Sequence, residues 1–149
     1  MKIDDINNRI LRELSANARL SNIELADRVG LSPSACLRRV QELERTGVIT
    51  GYRVRTDRAK LGYGFTAYVA VGLSNHSTAA QEAFERAISR APEVVECHNI
   101  TGTVEYLLRV EAADLASYKL FHSETLGTQP QVNSITTYVV MGSPKDDRA

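Results

Sequence analysis

Cysteine is nearly absent from this chain of 149 residues: Cys36 and Cys97 are the only two. That is too few for the disulfide framework of a small secreted domain. Long apolar runs are missing too, and none approaches the ~18 residues that would suggest a membrane helix. The start, Met1-Lys2-Ile3-Asp4-Asp5, turns acidic at once and offers no apolar signal core. A cytoplasmic protein with no membrane partner is the expectation. Net charge is also lacking, at zero overall. There are no internal repeats or low-complexity segments, no G-x-G-x-x-G and no phosphate-binding P-loop. No Ser-His-Asp arrangement is legible. Cys97 and His98 are neighbours, which in a strand point to opposite faces, so they make no chelate; His76 and His122 stand alone. Neither an enzyme nor a bound metal or cofactor is expected.

What is present is unevenly placed. Residues 1–60 carry 12 Lys and Arg against 8 Asp and Glu, whereas residues 61–149 carry 6 against 10. A basic first part and an acidic remainder suggest different partners for each.

The first part reads as helices. Ile3, Ile6, Ile10, Leu11 and Leu14 fall on one side at about 100° per residue. Ser21-Asn22-Ile23-Glu24 is a capping box, in which hydroxyl and carboxylate satisfy helix-end amides. Leu25, Ala26 and Val29 line a short helix that Gly30 ends, because glycine takes the left-handed conformation without steric cost. Ser32-Pro33 starts a third helix, with serine as N-cap and proline at the first helical position. It runs to about Thr46 and stops at Gly47.

Two short helices joined by a glycine turn, over Asn22 to Gln41, make a helix-turn-helix. On the third helix Cys36, Val40 and Leu43 cluster inward, with Leu37 at the edge of that face. Ser34, Arg38, Gln41 and Arg45 lie opposite and Arg39 sits between. Arginine can fork onto guanine, glutamine onto adenine and serine onto either, so this face suits base edges and phosphates. Ser32, Ser34, Ala35, Arg38, Arg39, Gln41 and Arg45 are the candidate DNA-binding residues, with double-stranded promoter DNA as the partner. The alternative is an ordinary solvated helix face. Arg53 and Arg55 fit phosphate contacts and exposed strand positions equally well.

Residues 48–56 alternate and predict a strand leading into a linker over 57–63, marked by Gly62 and Gly64. Strands follow at 65–73, 94–100, 104–111 and 132–141, with helices at 77–90 and 114–126. The order β-α-β-β-α-β is the split-βαβ, ferredoxin-like plan. The fold class is therefore α+β: a helix-turn-helix domain over 1–50, strand and linker over 51–63, and a second domain over 64–149. Its charged tail, Ser143 to Ala149, is expected to fray.

Ser21 to Ser34 as one run, Cys36-Leu37-Arg38-Arg39-Val40 and Leu43 to Ile49 closely resemble the helix-turn-helix of the Lrp/AsnC (feast/famine) regulators. Glu96-Cys97-His98, Gly102 to Leu108 and Thr137 to Met141 carry the likeness through the second half. The resemblance implies a transcription regulator whose C-terminal domain, ACT-like in the manner of amino-acid-binding regulatory domains, senses a ligand and drives oligomerisation. It implies dimers through the sheets, often assembled into octamers, with the strand near 50–55 paired to its copy. It places an effector, usually an amino acid, between dimers near the loop from Thr101 to Tyr106. Gly102, Thr103, Val104, Glu105 and Tyr106, with Thr136 and Thr137, are the candidate effector-binding residues.

The residues alone also allow duller roles. Gly102 suits a hairpin, Tyr106 can fill the sheet, and Thr136 and Thr137 suit a strand by propensity. The family commonly has Gly-Asp-x-Asp-Tyr where this chain has Gly102-Thr103-Val104-Glu105-Tyr106. Thr103 lacks the first carboxylate, and Glu105 carries the second on a longer stem. A desolvated ammonium needs such partners, so the expectation is a different ligand, or a domain that only oligomerises.

Overall fold

The computed structural model describes residues 2–148. Met1 of the acidic start and Ala149 of the charged tail lie outside the described residues. The chain divides into two compact units, one up to Arg55 and the other over Thr56–Asp147.

The first unit is built from α1 (Asp5–Ala16), α2 (Asn22–Val29) and α3 (Pro33–Arg45). Each begins on a side chain that accepts a free helix-end amide: Asp4 from Asn7, Ser21 from Glu24, and Ser32 from Ala35. The capping box of α2 is complete, since Glu24 accepts the Ser21 amide in return. Gly30 ends α2 at φ 73°, a left-handed geometry that costs a side-chain-bearing residue energy. The amide of Leu31 reaches back to the Ala26 carbonyl at 2.9 Å. Ile10, Leu25, Ala26, Val29, Cys36 and Leu43 bury a common core. Each larger side chain there contributes roughly 1.5–3 kcal/mol by leaving water.

Within the single chain no ladder is paired over 48–56, where a strand is expected. Val48 and Ile49 belong to the turn that closes α3, with the Ile49 amide bonded to the Leu43 carbonyl at 3.0 Å. Residues 51–57 carry no regular structure, and Tyr52 and Val54 are 51% and 84% exposed. A strand's amides and carbonyls need a neighbouring ladder, and the neighbour expected for this segment is its copy in a second protomer.

The second unit is a four-stranded antiparallel sheet of β1 (Phe65–Leu73), β2 (Val94–Asn99), β3 (Tyr106–Ala112) and β4 (Val132–Val139), in the order β2-β3-β1-β4. Helices α4 (Thr78–Ser89) and α5 (Leu115–Phe121) connect β1 to β2 and β3 to β4. Val69 faces Leu108 and Thr137 across the two central ladders. Val69, Val71, Leu108 and Val110 join Phe84, Ile88, Phe121 and Leu126 in a buried core between sheet and helices.

The helix expected over 114–126 is regular only to Phe121. A wider turn follows over His122–Leu126, closed by the Gly127 amide on the His122 carbonyl at 2.8 Å, and Leu126 is fully buried. Likewise β3 starts at Tyr106 rather than 104, although the Glu105 amide still reaches the Val71 carbonyl of β1 at 3.2 Å.

The other face of the sheet holds charge. Arg109 and Glu111 are 6% and 5% exposed. The turn after the first unit brings Arg58 Nε to 2.5 Å from Glu111 Oε2, and Arg109 Nη1 donates to the Tyr68 hydroxyl at 2.9 Å.

Candidate nucleic-acid interface and effector loop

The geometry of α2 and α3 is fixed by side chains that do not face outward. The Asn22 amide donates to the Pro33 carbonyl at 2.8 Å, tying the start of α2 to the first turn of α3. Arg39 Nη1 reaches Asp4 Oδ1 and Oδ2 at 3.0 and 2.7 Å and Asn7 Oδ1 at 3.0 Å. Asp4 is the N-cap of α1, so Arg39 locks α3 to the beginning of the first helix. The Asp4 carboxyl is held below its ordinary range by the Asn7 amide first and by Arg39 next.

Ser34, Arg38, Gln41 and Arg45 are all exposed on α3. They are not equivalent. Arg45 forms a two-pronged pair with Glu42, Nε to Oε2 at 2.9 Å and Nη2 to Oε1 at 2.7 Å. Ser32 is occupied as N-cap and lies 3.3 Å from the Ser34 hydroxyl. Ala35 is half-buried. Arg38 has no ion-pair partner among the described residues. Leu37, adjacent to it, is 46% exposed and lies outside the core of this unit. Beyond α3, the Tyr52 hydroxyl donates to Glu44 at 2.8 Å, which anchors the segment carrying Arg53 and Arg55.

In the second unit the loop from Ile100 to Glu105 joins β2 to β3. Gly102 adopts φ 126°, a region reserved largely for glycine. Thr103 is exposed and Val104 half-buried. Glu105 turns inward at 14% exposure. Its Oε2 accepts the Leu73 amide at 2.6 Å, and its Oε1 lies 2.9 Å from His76 Nδ1. Both carboxylate oxygens therefore have partners within the chain.

Tyr106 is buried, packs its ring tilted against Phe84 with centroids 4.7 Å apart and donates to Glu85 at 2.6 Å. Burial first and Glu85 second push its phenol above the ordinary range. It borders a groove of about 330 Å³ that also touches Glu85, Cys97 and Asn99. Thr137 points to the helix side, where its hydroxyl meets that of Tyr118, whereas Thr136 is exposed. Residues 102–106 are contiguous; Thr136 and Thr137 lie on β4, and their side chains divide between the two faces of the sheet.

Asp4 and Asn7 were not legible as partners of Arg39, because the contact spans more than thirty residues. The same holds for His76 and Glu105; only the Glu24-to-Ser21 spacing announced itself. Among the described residues no cluster of His, Cys, Asp and Glu could hold a metal ion, and no helix is long and apolar enough to cross a membrane.

Residues 3–50 match the family described as winged helix-turn-helix DNA-binding, and residues 66–149 match the Lrp/AsnC ligand binding domain. The chain belongs to the Lrp/AsnC family. It is 39% identical over 143 residues to the leucine-responsive regulatory protein of Escherichia coli strain K12, covering 96% of this chain and 87% of that one. The protein of that name from Serratia marcescens matches to the same extent.

Among solved structures, a Neisseria meningitidis transcriptional regulator in complex with L-Met superposes with a TM-score of 0.93. It is 32% identical and covers 97% of this chain and 94% of its own. An AsnC family transcriptional regulator from Agrobacterium tumefaciens gives 0.90 at 32% identity, over 96% and 93% of the two chains. This Lrp/AsnC chain is thus a DNA-binding transcription regulator with a ligand-binding domain; its family comprises regulators, not enzymes.

Proposed function

We propose that this protein regulates amino-acid or related metabolism from the cytoplasm by reading promoter DNA as a dimer or a larger assembly, under control of a small-molecule effector. The observation that carries the reading is the outward face of α3, where Ser34, Arg38 and Gln41 are exposed together and Arg38 is uncommitted. In a dimer two such helices enter successive major grooves, so half-sites lie about one helical turn, or a multiple of it, apart. Arg38 reads a base edge with Ser34 and Gln41 beside it, and Arg45 is available to a phosphate once it leaves Glu42. Arg39, bound to Asp4 and Asn7, is assigned to fixing the helices rather than to a base edge.

The effector reading draws support from the Neisseria relative, whose structure contains L-Met. It assigns the ligand to the loop of Gly102, Thr103, Val104, Glu105 and Tyr106, with Thr136 and Thr137 from β4. Coupling to DNA requires that the ligand bind one assembly state better than another.

A second reading has its own support: the C-terminal domain only assembles. Thr103 brings no carboxylate, and Glu105 already accepts the Leu73 amide and lies 2.9 Å from His76 Nδ1. An incoming ammonium must share the carboxylate with those partners.

Selection of binding sites from random-sequence DNA, followed by affinity over a salt series, tests the first reading. A selected two-fold motif with log affinity falling linearly against log salt, about 0.9 per phosphate contact, supports it; absence of any preferred sequence defeats it. Light-scattering mass and calorimetry with each amino acid decide the second. Tight binding with a mass change supports sensing, and no heat with constant mass supports assembly alone.

A further inference from the structure

The exposed side of α3 contains one residue that neither the core nor the polar set accounts for. Leu37 is 46% exposed and does not pack in the cluster of Ile10, Leu25, Cys36 and Leu43. Ser34, Leu37, Arg38 and Gln41 are spaced i, i+3, i+4 and i+7, so they form one stripe along the helix. Three of its members are donors or acceptors suited to base edges. The fourth is a branched hydrocarbon in the middle of the stripe, in the N-terminal half of α3, the end of a recognition helix that meets bases. Nearly half of its surface is open, so water reaches it in the free protein.

In the major groove a base pair presents one apolar feature only, the C5-methyl group of thymine. We propose that Leu37 is a specificity-determining residue that contacts a thymine methyl beside the base read by Arg38. The inference rests on the DNA-reading function proposed above and deepens it: it names a base that the polar residues do not select. A hydrocarbon over cytosine would cover its amino donor without a partner, which costs free energy; over thymine it removes apolar surface from water on both sides.

The test uses the full-length protein and the DNA it selects from a random pool. Each thymine of the selected half-site is replaced in turn by deoxyuridine, which deletes the methyl and keeps the pairing. One thymine per half-site is expected to show a loss of about fourfold on replacement, the effect of exposing one buried methyl. The loss disappears in Leu37→Ala, which binds thymine and uracil sites alike, and survives in Leu37→Met.

If specific DNA is selected but every thymine tolerates replacement in the unsubstituted protein, the inference is overturned while DNA reading stands. The same holds if the methyl effect persists unchanged in a folded Leu37→Ala, or if that variant alters only the oligomeric mass. If no sequence is selected, DNA reading itself fails and this inference falls with it. The deoxyuridine series needs no variant, so it decides the matter even where Leu37→Ala does not fold.

Discussion

Adjacent arginines on α3 should behave oppositely. Arg38 is exposed without an ion-pair partner, whereas Arg39 makes three contacts of 2.7–3.0 Å with Asp4 and Asn7. Truncating Arg38 removes a bidentate donor from the base edge and should cost about 1–3 kcal/mol per half-site on the selected DNA, roughly 5- to 150-fold. The loss should concentrate at one base position, where the variant becomes indifferent to sequence. The salt dependence should hold, because a base contact releases no phosphate counterion; a lost phosphate contact would flatten the slope by about 0.9. Arg39→Ala should do the reverse. It cuts the tie from α3 to the N-cap of α1, so the thermal midpoint of the first unit falls, while the base preference of the folded fraction stays the same. Fluorescence anisotropy with the selected site and single-base variants, over a salt series, reads both. A neutral Arg38→Ala beside a folded Arg39→Ala without base preference would refute the assignment.

Other perturbations probe the fold around these sites. Glu111→Ala should destabilise the second unit by about 3 kcal/mol, because it leaves Arg109 buried without its counter-charge; an unchanged urea midpoint would contradict this. Gly102→Ala should cost about 1–3 kcal/mol, since φ 126° is hostile to a Cβ even though no atom crowds the position, and chemical denaturation reads it directly. Partial burial of the Tyr52 phenol, reinforced by Glu44, pushes its pKa up to about 12 from the ordinary 10. The raised value means that its stabilising effect is complete below pH 10 and is lost as pH rises from 10 through about 12. An ultraviolet phenolate titration should find this late tyrosine, and Glu44→Gln should move it earlier; an unmoved titration would deny the contact.

Local chemistry made much of the first unit readable. The Ser21–Glu24 capping box, the left-handed Gly30 and the Ser32-Pro33 start each act within a few residues, so spacing alone carries the message. The β-α-β-β-α-β order was readable for a similar reason: Ala67, Val69 and Val71 alternate toward the helices, and Ala80, Phe84 and Ile88 recur with helical period. The strand at 48–56 is a different case. Tyr52 and Val54 alternate with arginines as strand residues do, but pattern reports which faces differ, not whether a neighbour exists to complete the ladder. The break at His122 was missed: Leu126 follows Phe121 by five residues, about 140° off its face at 100° per residue, and the widened backbone over His122–Leu126 buries both.

The site residues divide along the same line. Helical periodicity put Arg38 and Arg45 on one face and left Arg39 between faces, which is as far as an angle can go. What each guanidinium does depends on the carboxylates that come near it. Glu42 is three residues from Arg45 and could have been suspected; Asp4 is 35 residues from Arg39 and could not. At the loop, comparison of Glu105 with the family pattern exposed a longer stem. The use of that length lay in the fold: it lets the carboxylate reach the Leu73 amide and His76. A charge that reads in the sequence as an available ligand for an amine is, in the folded domain, already engaged. Any effector that uses Glu105 must therefore share its oxygens with the Leu73 amide and His76.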